Sequence, residues 1–264
     1  MESYALTRIA QNPVRFKLHH GQPSVGTWHA LCSPVACELM AAIGWDWIVV
    51  DVQHSPVGFD TMVNCFRAIQ LGGSIPMARV PWNDTIWMQR TLDAGALGLV
   101  IPMVNNVADA ENAVANCRYA TRGIRSYTSG RTGSYVDAPG EYTDWANANV
   151  AVIPMIETVE AVKNAEAILA VEGVDGCFIG PRDLGLSMGI TPREMGPGTE
   201  HEAMMLSVLA AGKKVGTAVG KHCNSAQEVN ERIAQGFQFL ALASDQAFML
   251  AEAKAQFGQV KATV

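Results

Sequence analysis

The chain has 264 residues, of which 49% are hydrophobic and 17% charged, and it carries a formal net charge of −6. This length is typical of a single α/β barrel, and the apolar fraction provides for a large buried core. The acidic balance argues against nucleic acid as a partner, because phosphate binding needs a basic face.

Apolar, β-branched runs recur between helical patterns along the whole chain. They predict eight strands, at residues 25–31, 47–52, 76–80, 98–104, 150–157, 176–181, 214–220 and 237–243. The segments between them predict helices, most of which begin at a capping residue and end at glycine: 34–44, 60–72, 84–95, 107–119, 158–173, 199–212 and 225–236.

This alternation predicts an α/β protein in which parallel strands close into a single (β/α)8 TIM barrel, one domain spanning residues 1–264. An open doubly wound sheet is the alternative. The dinucleotide fingerprint GxGxxG is absent after the first predicted strand, which counts against that alternative.

Two segments fall outside the repeat. Residues 1–24 form a lead-in, in which residues 5–18 predict a helix that plugs the bottom of the barrel. Residues 121–145 are rich in Gly, Ser, Thr, Arg and Tyr and predict a long loop. Loops of this length in compact domains are usually functional, so we expect it above the active-site rim, after the fourth strand.

The sequence also bears on location. No apolar run reaches the ~18–20 residues that a membrane helix needs, so a membrane is not an expected partner. The first residues lack the basic and apolar stretches of a secretory signal. The six cysteines include no CxxC pair, as expected for free thiols in a reducing compartment. These features predict a cytoplasmic protein.

Two carboxylates follow neighbouring predicted strands. Glu157 closes the apolar run 150–157, and Asp183 comes shortly after the run 176–181. The carboxyl ends of barrel strands form the rim where active sites are built. Two hard oxygen ligands there predict a divalent cation site that leaves positions open for water and substrate.

Other polar residues near strand ends are candidates for chemistry. His54 follows the second strand beside Asp51, and it is either a proton-transferring base or a loop cap. Arg79 lies within the third strand, where desolvation is costly without an anion. That anion is either a structural carboxylate or a negative charge forming on a substrate, and placement alone does not separate the two.

A turn and a lysine near the predicted rim are further candidates for substrate binding or chemistry. The turn Gly180-Pro-Arg-Asp183-Leu leads into a helix, and its N–H groups could hold a substrate carboxylate; an ordinary strand-to-helix turn is the other interpretation. Lys221 follows the predicted seventh strand, where a Schiff-base lysine of a metal-free aldolase could lie. Its polar surroundings favour a solvated loop lysine.

With these residues placed, the chain closely resembles the HpcH/HpaI family of metal-dependent pyruvate aldolases, which includes 4-hydroxy-2-oxoheptanedioate aldolase. The matching stretches run nearly end to end: GTW at 26–28, GWDW at 44–47, DVQH at 51–54, ARVPWND at 78–84, LDAG at 92–95, VIPMV at 100–104, IET at 156–158 and VEGVDGCFIGPRDL at 171–184. The resemblance implies a (β/α)8 barrel that exchanges its last helix between subunits, a homohexamer built as a trimer of dimers, and a role in aromatic or sugar-acid catabolism.

The resemblance also assigns roles. Glu157 and Asp183 bind Mg²⁺, Mn²⁺ or Co²⁺, with no organic cofactor. His54 is the base, Asp93 raises its basicity, and Arg79 stabilises the enolate. Asp51 is a further catalytic candidate that contacts His54. The backbone at Arg182 and Asp183 receives the keto-acid carboxylate, and the other residues at the substrate are Trp28, Met155, Gly180 and Pro181.

Three departures from the family pattern border the predicted substrate pocket. Many relatives carry glutamine where this chain has Met155, and alanine is common where it has Arg182. The stretch 126–142 also diverges. These changes leave a 2-keto acid as the expected donor but do not fix pyruvate as the preferred one.

The resulting hypothesis is a class II aldolase that reversibly cleaves a 4-hydroxy-2-keto acid into an aldehyde and pyruvate, or a near analogue such as hydroxypyruvate. An acyl-CoA lyase of the citrate lyase type is the alternative enzyme, although no basic cluster clearly provides its nucleotide groove. A non-catalytic barrel that binds a keto acid is the alternative from another class.

Overall fold

The computed structural model describes residues 8–128 and 131–261. Eight parallel strands close into a barrel in sequence order, with β8 pairing back to β1. The strands are β1 (Ser24–His29), β2 (Trp47–Asp51), β3 (Ile75–Arg79), β4 (Gly98–Ile101), β5 (Ala151–Ile156), β6 (Gly176–Ile179), β7 (Ala218–Cys223) and β8 (Phe239–Ser244). The predicted (β/α)8 barrel is confirmed.

Helices surround the strands. They are α1 (Pro13–His19), α2 (Pro34–Ala41), α3 (Phe59–Leu71), α4 (Thr85–Asp93), α5 (Val107–Cys117), α6 (Tyr142–Asn149), α7 (Val159–Lys163), α8 (Ala165–Leu169), α9 (Pro181–Met188), α10 (Glu200–Val215), α11 (Ala226–Gln235) and α12 (Asp245–Phe257), with short 3₁₀ turns at Arg131–Ser134 and Pro192–Glu194. Among the described residues, no helix combines the length and apolar character needed to cross a membrane.

Side chains fill the barrel interior. The rings of Trp47 and Phe239 stack at 4.2 Å, and Phe178 packs edge-on against Phe239 at 5.9 Å. Gly26 is required by this packing, because a Cβ at that position would lie 2.1 Å from the Trp47 ring. The interior of the barrel is therefore a packed core.

The seventh repeat differs from its prediction. Residues 214 and 215 end helix α10 instead of beginning a strand, and β7 extends to Cys223. The helix stops at Gly216, which takes the left-handed φ of +78°. Gly212 is a close-packing glycine within the helix, since a Cβ there would lie 2.3 Å from Val219. Because the sequence pattern predicts the helix end at Gly212, it predicts the seventh strand too early, at residues 214–220.

The long segment was also misplaced. It follows α5, which runs back toward the amino-terminal ends of the strands, so it lies on that face and not above the rim. Two contacts of its described residues lie there: Arg125 donates to Asp93 at the end of α4 at 2.8 Å, and the Trp145 indole donates to the Ala10 carbonyl at 2.7 Å. Part of the segment is helical, as α6.

The first and last helices of the described chain are α1 and α12. Residues 5–7 of the predicted first helix lie outside the described residues, and α1 begins after Asn12, whose side chain caps it and also donates to the Leu97 carbonyl at 2.9 Å. This helix lies at the amino-terminal ends of the strands. At the other end, α12 beyond Asp245 is exposed, including Phe248, Met249 and Leu250.

The predicted helix 158–173 is instead two short helices, α7 and α8. Asn164 separates them, and its side chain donates to the Asn105 carbonyl at 2.8 Å. This bond ties the break to the loop after β4. The remaining strand bounds differ from prediction by only a few residues at each end.

Candidate active site at the carboxyl ends of the strands

A cavity of about 250 Å³ opens at the carboxyl ends of the strands. Residues from seven strands or the turns that follow them line it: Trp28, Ala30, Asp51, Arg79, Met155, Phe178, Gly180, Pro181, Arg182, Asp183, His222 and Ser244. This is the end of the barrel where loops after the strands build active sites. A larger cavity, about 460 Å³, lies on the amino-terminal face, but its cations Arg15 and Arg118 pair with Asp175.

Arg79 and Asp51 form the charged centre of the cavity. They end neighbouring strands in register, and the guanidinium donates two hydrogen bonds to the carboxylate, Nε to Oδ1 at 2.9 Å and Nη2 to Oδ2 at 2.6 Å. The guanidinium also lies 4.5 Å from the centre of the Trp28 ring. Such a paired and stacked arginine is rigidly oriented. Arg79 thus has a structural carboxylate partner and also faces the cavity.

Glu157 is buried, with only 3% of its surface exposed. Its Oε1 accepts a 2.7 Å hydrogen bond from the Met103 N–H, and Met103 takes the unusual φ of +56°. Burial raises the pKa of this carboxyl, and the nearby Asp183 charge raises it further, whereas the Met103 N–H and Arg79 act in the opposite direction. Nearby positive groups therefore do not fully offset the cost of burying the negative charge of Glu157.

The two acids fit a hard divalent cation. Asp183 lies in the first turn of α9, close enough to Glu157 for their charges to interact. Oε2 of Glu157 points toward Gly180, where a Cβ would lie 2.8 Å away. Two adjacent carboxylates, one buried and short of positive charge, match the oxygen donors that Mg²⁺ and Mn²⁺ prefer.

The turn between β6 and α9 provides backbone donors. Gly180 leaves no room for a side chain, and Pro181 starts the helix, so the N–H groups of Arg182 and Asp183 are free of the helical ladder at this end. The Arg182 side chain is exposed. His201 is buried, and its Nε2 donates a 2.7 Å hydrogen bond to the Pro181 carbonyl, which fixes the turn from behind.

His54 lies on the turn after β2 and is exposed. Its backbone N–H donates to Asp51 at 3.3 Å, and so does that of Gln53 at 3.1 Å. The expected contact between Asp51 and His54 therefore exists, but through the backbone. The imidazole is not among the groups that line the cavity in a single chain.

Asp93 is not brought to His54 within one chain. It ends α4, which runs back toward the amino-terminal face, and its carboxylate accepts a 2.8 Å hydrogen bond from Arg125 of the long segment. The two residues thus lie on opposite ends of the barrel. A pairing with His54 would have to come from another copy of the chain.

Met155 and Phe178 form the apolar wall of the cavity. They are register partners on β5 and β6, and both are almost fully buried. The Met155 methyl group lies beside Gly180, where a Cβ would meet it at 3.1 Å. The predicted place of Met155 at the pocket is consistent with this geometry.

Sequence reasoning missed His222. It lies near the end of β7 and lines the cavity, where burial, Lys221 and Arg79 lower its pKa to about 4. A neutral imidazole there can donate and accept hydrogen bonds. Correct placement of β7 would have found it, because His222 then falls at a strand end like the other site residues.

Lys221 is not a solvated loop lysine. It lies within β7, is 3% exposed, and its ammonium pairs with Glu228 of α11. Side chains alternate along a strand, so Lys221 points into the helix layer while His222 points to the cavity. A buried, paired ammonium directed away from the cavity does not suit a Schiff-base role.

Comparison with known proteins gives a consistent result. The model of the HpcH/HpaI aldolase/citrate lyase family matches residues 24–251. A hydroxypyruvate/pyruvate aldolase of Rhizorhabdus wittichii is 34% identical over 251 residues, covering 95% of this chain and 99% of that protein. A 4-hydroxy-2-oxo-heptane-1,7-dioate aldolase of Salmonella typhimurium is 38% identical over 210 residues, covering 78% and 80%.

Solved structures give the same result. The crystal structure of an HpcH/HpaI aldolase/citrate lyase family protein from Burkholderia cenocepacia matches with a TM-score of 0.88 and 30% identity, covering 96% of this chain and 100% of that one.

Proposed function

The chain belongs to the HpcH/HpaI aldolase/citrate lyase family, and from this premise we propose that it is a metal-dependent, class II aldolase. It is a carbon–carbon lyase that cleaves a 4-hydroxy-2-keto acid into a pyruvate-type keto acid and an aldehyde. The observation that carries the proposal is the cavity in which the Arg79–Asp51 pair faces the same space as Asp183 and the neighbouring Glu157.

Glu157 and Asp183 would hold the divalent metal, proposed to be Mg²⁺, Mn²⁺ or Co²⁺. When bound, the metal would act as a Lewis acid toward the keto group of the substrate. The substrate carboxylate would be received by the N–H groups of Arg182 and Asp183 at the start of α9, as helix starts receive anions.

Arg79 supplies fixed positive charge where the enolate oxygen develops. In cleavage, the proton of the C4 hydroxyl passes to His54 and the C3–C4 bond breaks. Its electrons form the enolate of the keto acid, and the aldehyde leaves. Since Asp51 and Trp28 already orient the guanidinium, little reorganisation is needed as the charge grows. Protonation of the enolate at C3 completes the reaction.

His54 is the proposed base, and Asp93 the acid that raises its basicity. Because α4 carries Asp93 to the opposite face, this pairing requires Asp93 of another copy of the chain. A homo-oligomer, proposed to be a hexamer with exchanged last helices, supplies such a copy. The exposed apolar side chains of α12, Phe248 and Leu250 among them, support an exchange.

We predict that His54→Ala lowers turnover about a hundredfold, the lower part of the range for a positioned base. Keto-acid affinity should change little, because the carboxylate and keto contacts lie elsewhere. Steady-state kinetics and keto-acid binding measure the two effects. His20→Ala, which removes an exposed histidine of the other face, is the matched control. A loss of less than tenfold in His54→Ala would assign the base to another residue.

We predict that Met155→Gln tightens pyruvate binding and narrows the donor range. An added neutral hydrogen bond contributes roughly 0.5–1.5 kcal/mol, so affinity should improve by about tenfold at most. Affinities and relative rates with pyruvate, 2-oxobutyrate and hydroxypyruvate measure the effect in both forms. Met188→Gln, a partly buried methionine of α9, is the control. An unchanged donor preference would make Met155 a packing residue only.

One experiment tests the whole proposal. Protein stripped of metal is assayed with each keto acid, a set of aldehydes and added Mg²⁺, Mn²⁺ or Co²⁺. We expect aldol formation that depends on the metal. Activity only with acyl-CoA substrates would instead support a lyase of the citrate lyase type, and keto-acid binding without turnover would support a binding protein.

We also propose a cytoplasmic location, which the unpaired state of the six cysteines supports.

A further inference from the structure

A second group of metal-ligating side chains lies behind β1, away from the cavity. His29, Cys37 and Cys65 come from β1, α2 and α3, and each is at most 1% exposed. One donor atom of each lies within 4.8 Å of the others, and His29 Nε2 is 3.8 Å from Cys65 Sγ. None of these residues takes part in the proposed aldol reaction.

The imidazole is oriented from both sides. Its Nδ1 lies 2.5 Å from Oδ2 of Asp245, which also accepts hydrogen bonds from the N–H groups of Ala30 (2.9 Å) and Leu31 (3.3 Å). Nε2 therefore faces the two sulfurs, and it accepts a 3.1 Å hydrogen bond from the Ser33 N–H. A carboxylate behind a histidine is the usual outer shell of a metal ligand, because it fixes the ring and raises its basicity.

We propose that His29, Cys37 and Cys65 bind one Zn²⁺ ion. Zinc lies about 2.3 Å from sulfur and about 2.0–2.1 Å from nitrogen, so a nitrogen and a sulfur ligand of a tetrahedral site are roughly 3.5–3.6 Å apart. His29 Nε2 and Cys65 Sγ are 3.8 Å apart, so the ion would draw them slightly together. Two thiolates and a neutral imidazole also balance the charge of Zn²⁺, which limits the cost of burying the ion. The bound ion takes the place of the Ser33 N–H at Nε2.

Cys32 is the candidate for the fourth ligand. It lies on the loop between β1 and α2, is half-buried, and takes a φ of +54°. Its Sγ lies 3.6 Å from the Ala30 carbonyl oxygen, outside the group of three donor atoms. Structural zinc sites hold four ligands in a tetrahedron, so this thiol would move inward when it completes the site.

The zinc site and the proposed catalytic metal site differ in chemistry. The catalytic pair offers hard carboxylate oxygens and open positions, whereas this group offers sulfur and nitrogen donors sealed from solvent. Chelator should strip the first far more readily than the second. Loss of the catalytic metal therefore does not imply loss of the zinc ion.

The test uses the full chain, purified with zinc present and then dialysed against EDTA. We expect about one zinc ion per chain to remain, and cobalt substitution to give the thiolate-to-cobalt charge-transfer absorption. Cys65→Ala should lose both signals, whereas Cys117→Ala, which removes an equally buried thiol of α5, should keep them. Aldolase activity restored by Mn²⁺ in Cys117→Ala checks the catalytic site separately.

Cys65→Ala could fail to fold, so the wild type and His29→Asn provide independent evidence. Wild-type protein that retains no zinc after EDTA and shows no thiolate–cobalt absorption would overturn the proposal. A folded His29→Asn variant that keeps its zinc with unchanged cobalt absorption would also overturn it. Wild-type retention combined with loss in folded His29→Asn would support it.

Discussion

Replacement of Glu157 by glutamine should lower aldol cleavage by about a thousandfold at a fixed, subsaturating metal concentration. The change removes one of the two charges that would hold the metal and keeps the shape of the side chain. Lewis-acid stabilisation by a bound metal contributes several kcal/mol, and each 1.36 kcal/mol corresponds to about tenfold in rate. The Met103 N–H keeps an oxygen acceptor, so the fold should persist.

Glu160→Gln is the matched control, because Glu160 lies three residues further along the chain and is exposed on α7. Metal affinity is measured with Mn²⁺ for both variants, and chelator is applied to the wild type. Chelator should abolish wild-type turnover, and Mn²⁺ or Mg²⁺ should restore it. Full activity of Glu157→Gln, or of metal-free wild type, would disprove the proposed role of Glu157.

Replacement of Arg79 by lysine should lower kcat by about 10²–10³-fold, the usual effect of removing a preorganised donor from a developing oxyanion. Lysine keeps the positive charge but cannot make both hydrogen bonds to Asp51 or stack as well on Trp28. The positive charge thus remains near Asp51, but the side chain that carries it is no longer held in a fixed orientation toward the substrate. KM for the keto acid should change much less than kcat.

Arg67→Lys provides the control, since Arg67 is exposed on α3 and its guanidinium bonds only a neighbouring side chain, Asn64, at 2.9 Å. Thermal unfolding of each variant separates catalysis from stability. If Arg79→Lys lost thermal stability but retained wild-type kcat, Arg79 would be a structural partner of Asp51 and not the group that stabilises the enolate.

The barrel and much of its cavity were predictable from local sequence patterns. Strand ends in a βα repeat must converge on one rim, so Asp51, Arg79 and Asp183 fall together once the strands are placed. The place of Met155 at the substrate is instead what the resemblance to the family implies, and its position on β5 at the cavity is consistent with that. Only the first inference follows from the period of each element and the direction of the chain.

The misplaced features depend on three-dimensional packing. The sequence pattern predicts a helix stop at Gly212, whereas α10 ends at Gly216, and only the contact of Gly212 with Val219 reveals that Gly212 packs within the helix. That error hid His222 and made Lys221 look exposed. Likewise, the length of residues 121–145 suggested function, but the direction of α5 determines the face on which they lie.

The uneven distribution of loops has a consequence for solvent. Within the described chain, the connections after the first five strands at the catalytic face have two to seven residues, the connection from β6 to α10 holds α9 and residues 189–199, and residues 118–128 and 131–141 cover the opposite face. In a single chain Arg182, which lines the cavity, is exposed, so water can reach the reacting carbon. We expect the methyl hydrogens of bound pyruvate to exchange with deuterium of the solvent even without an aldehyde, a process that proton NMR follows directly. Absence of exchange in active enzyme would mean that a neighbouring copy closes the mouth of the cavity.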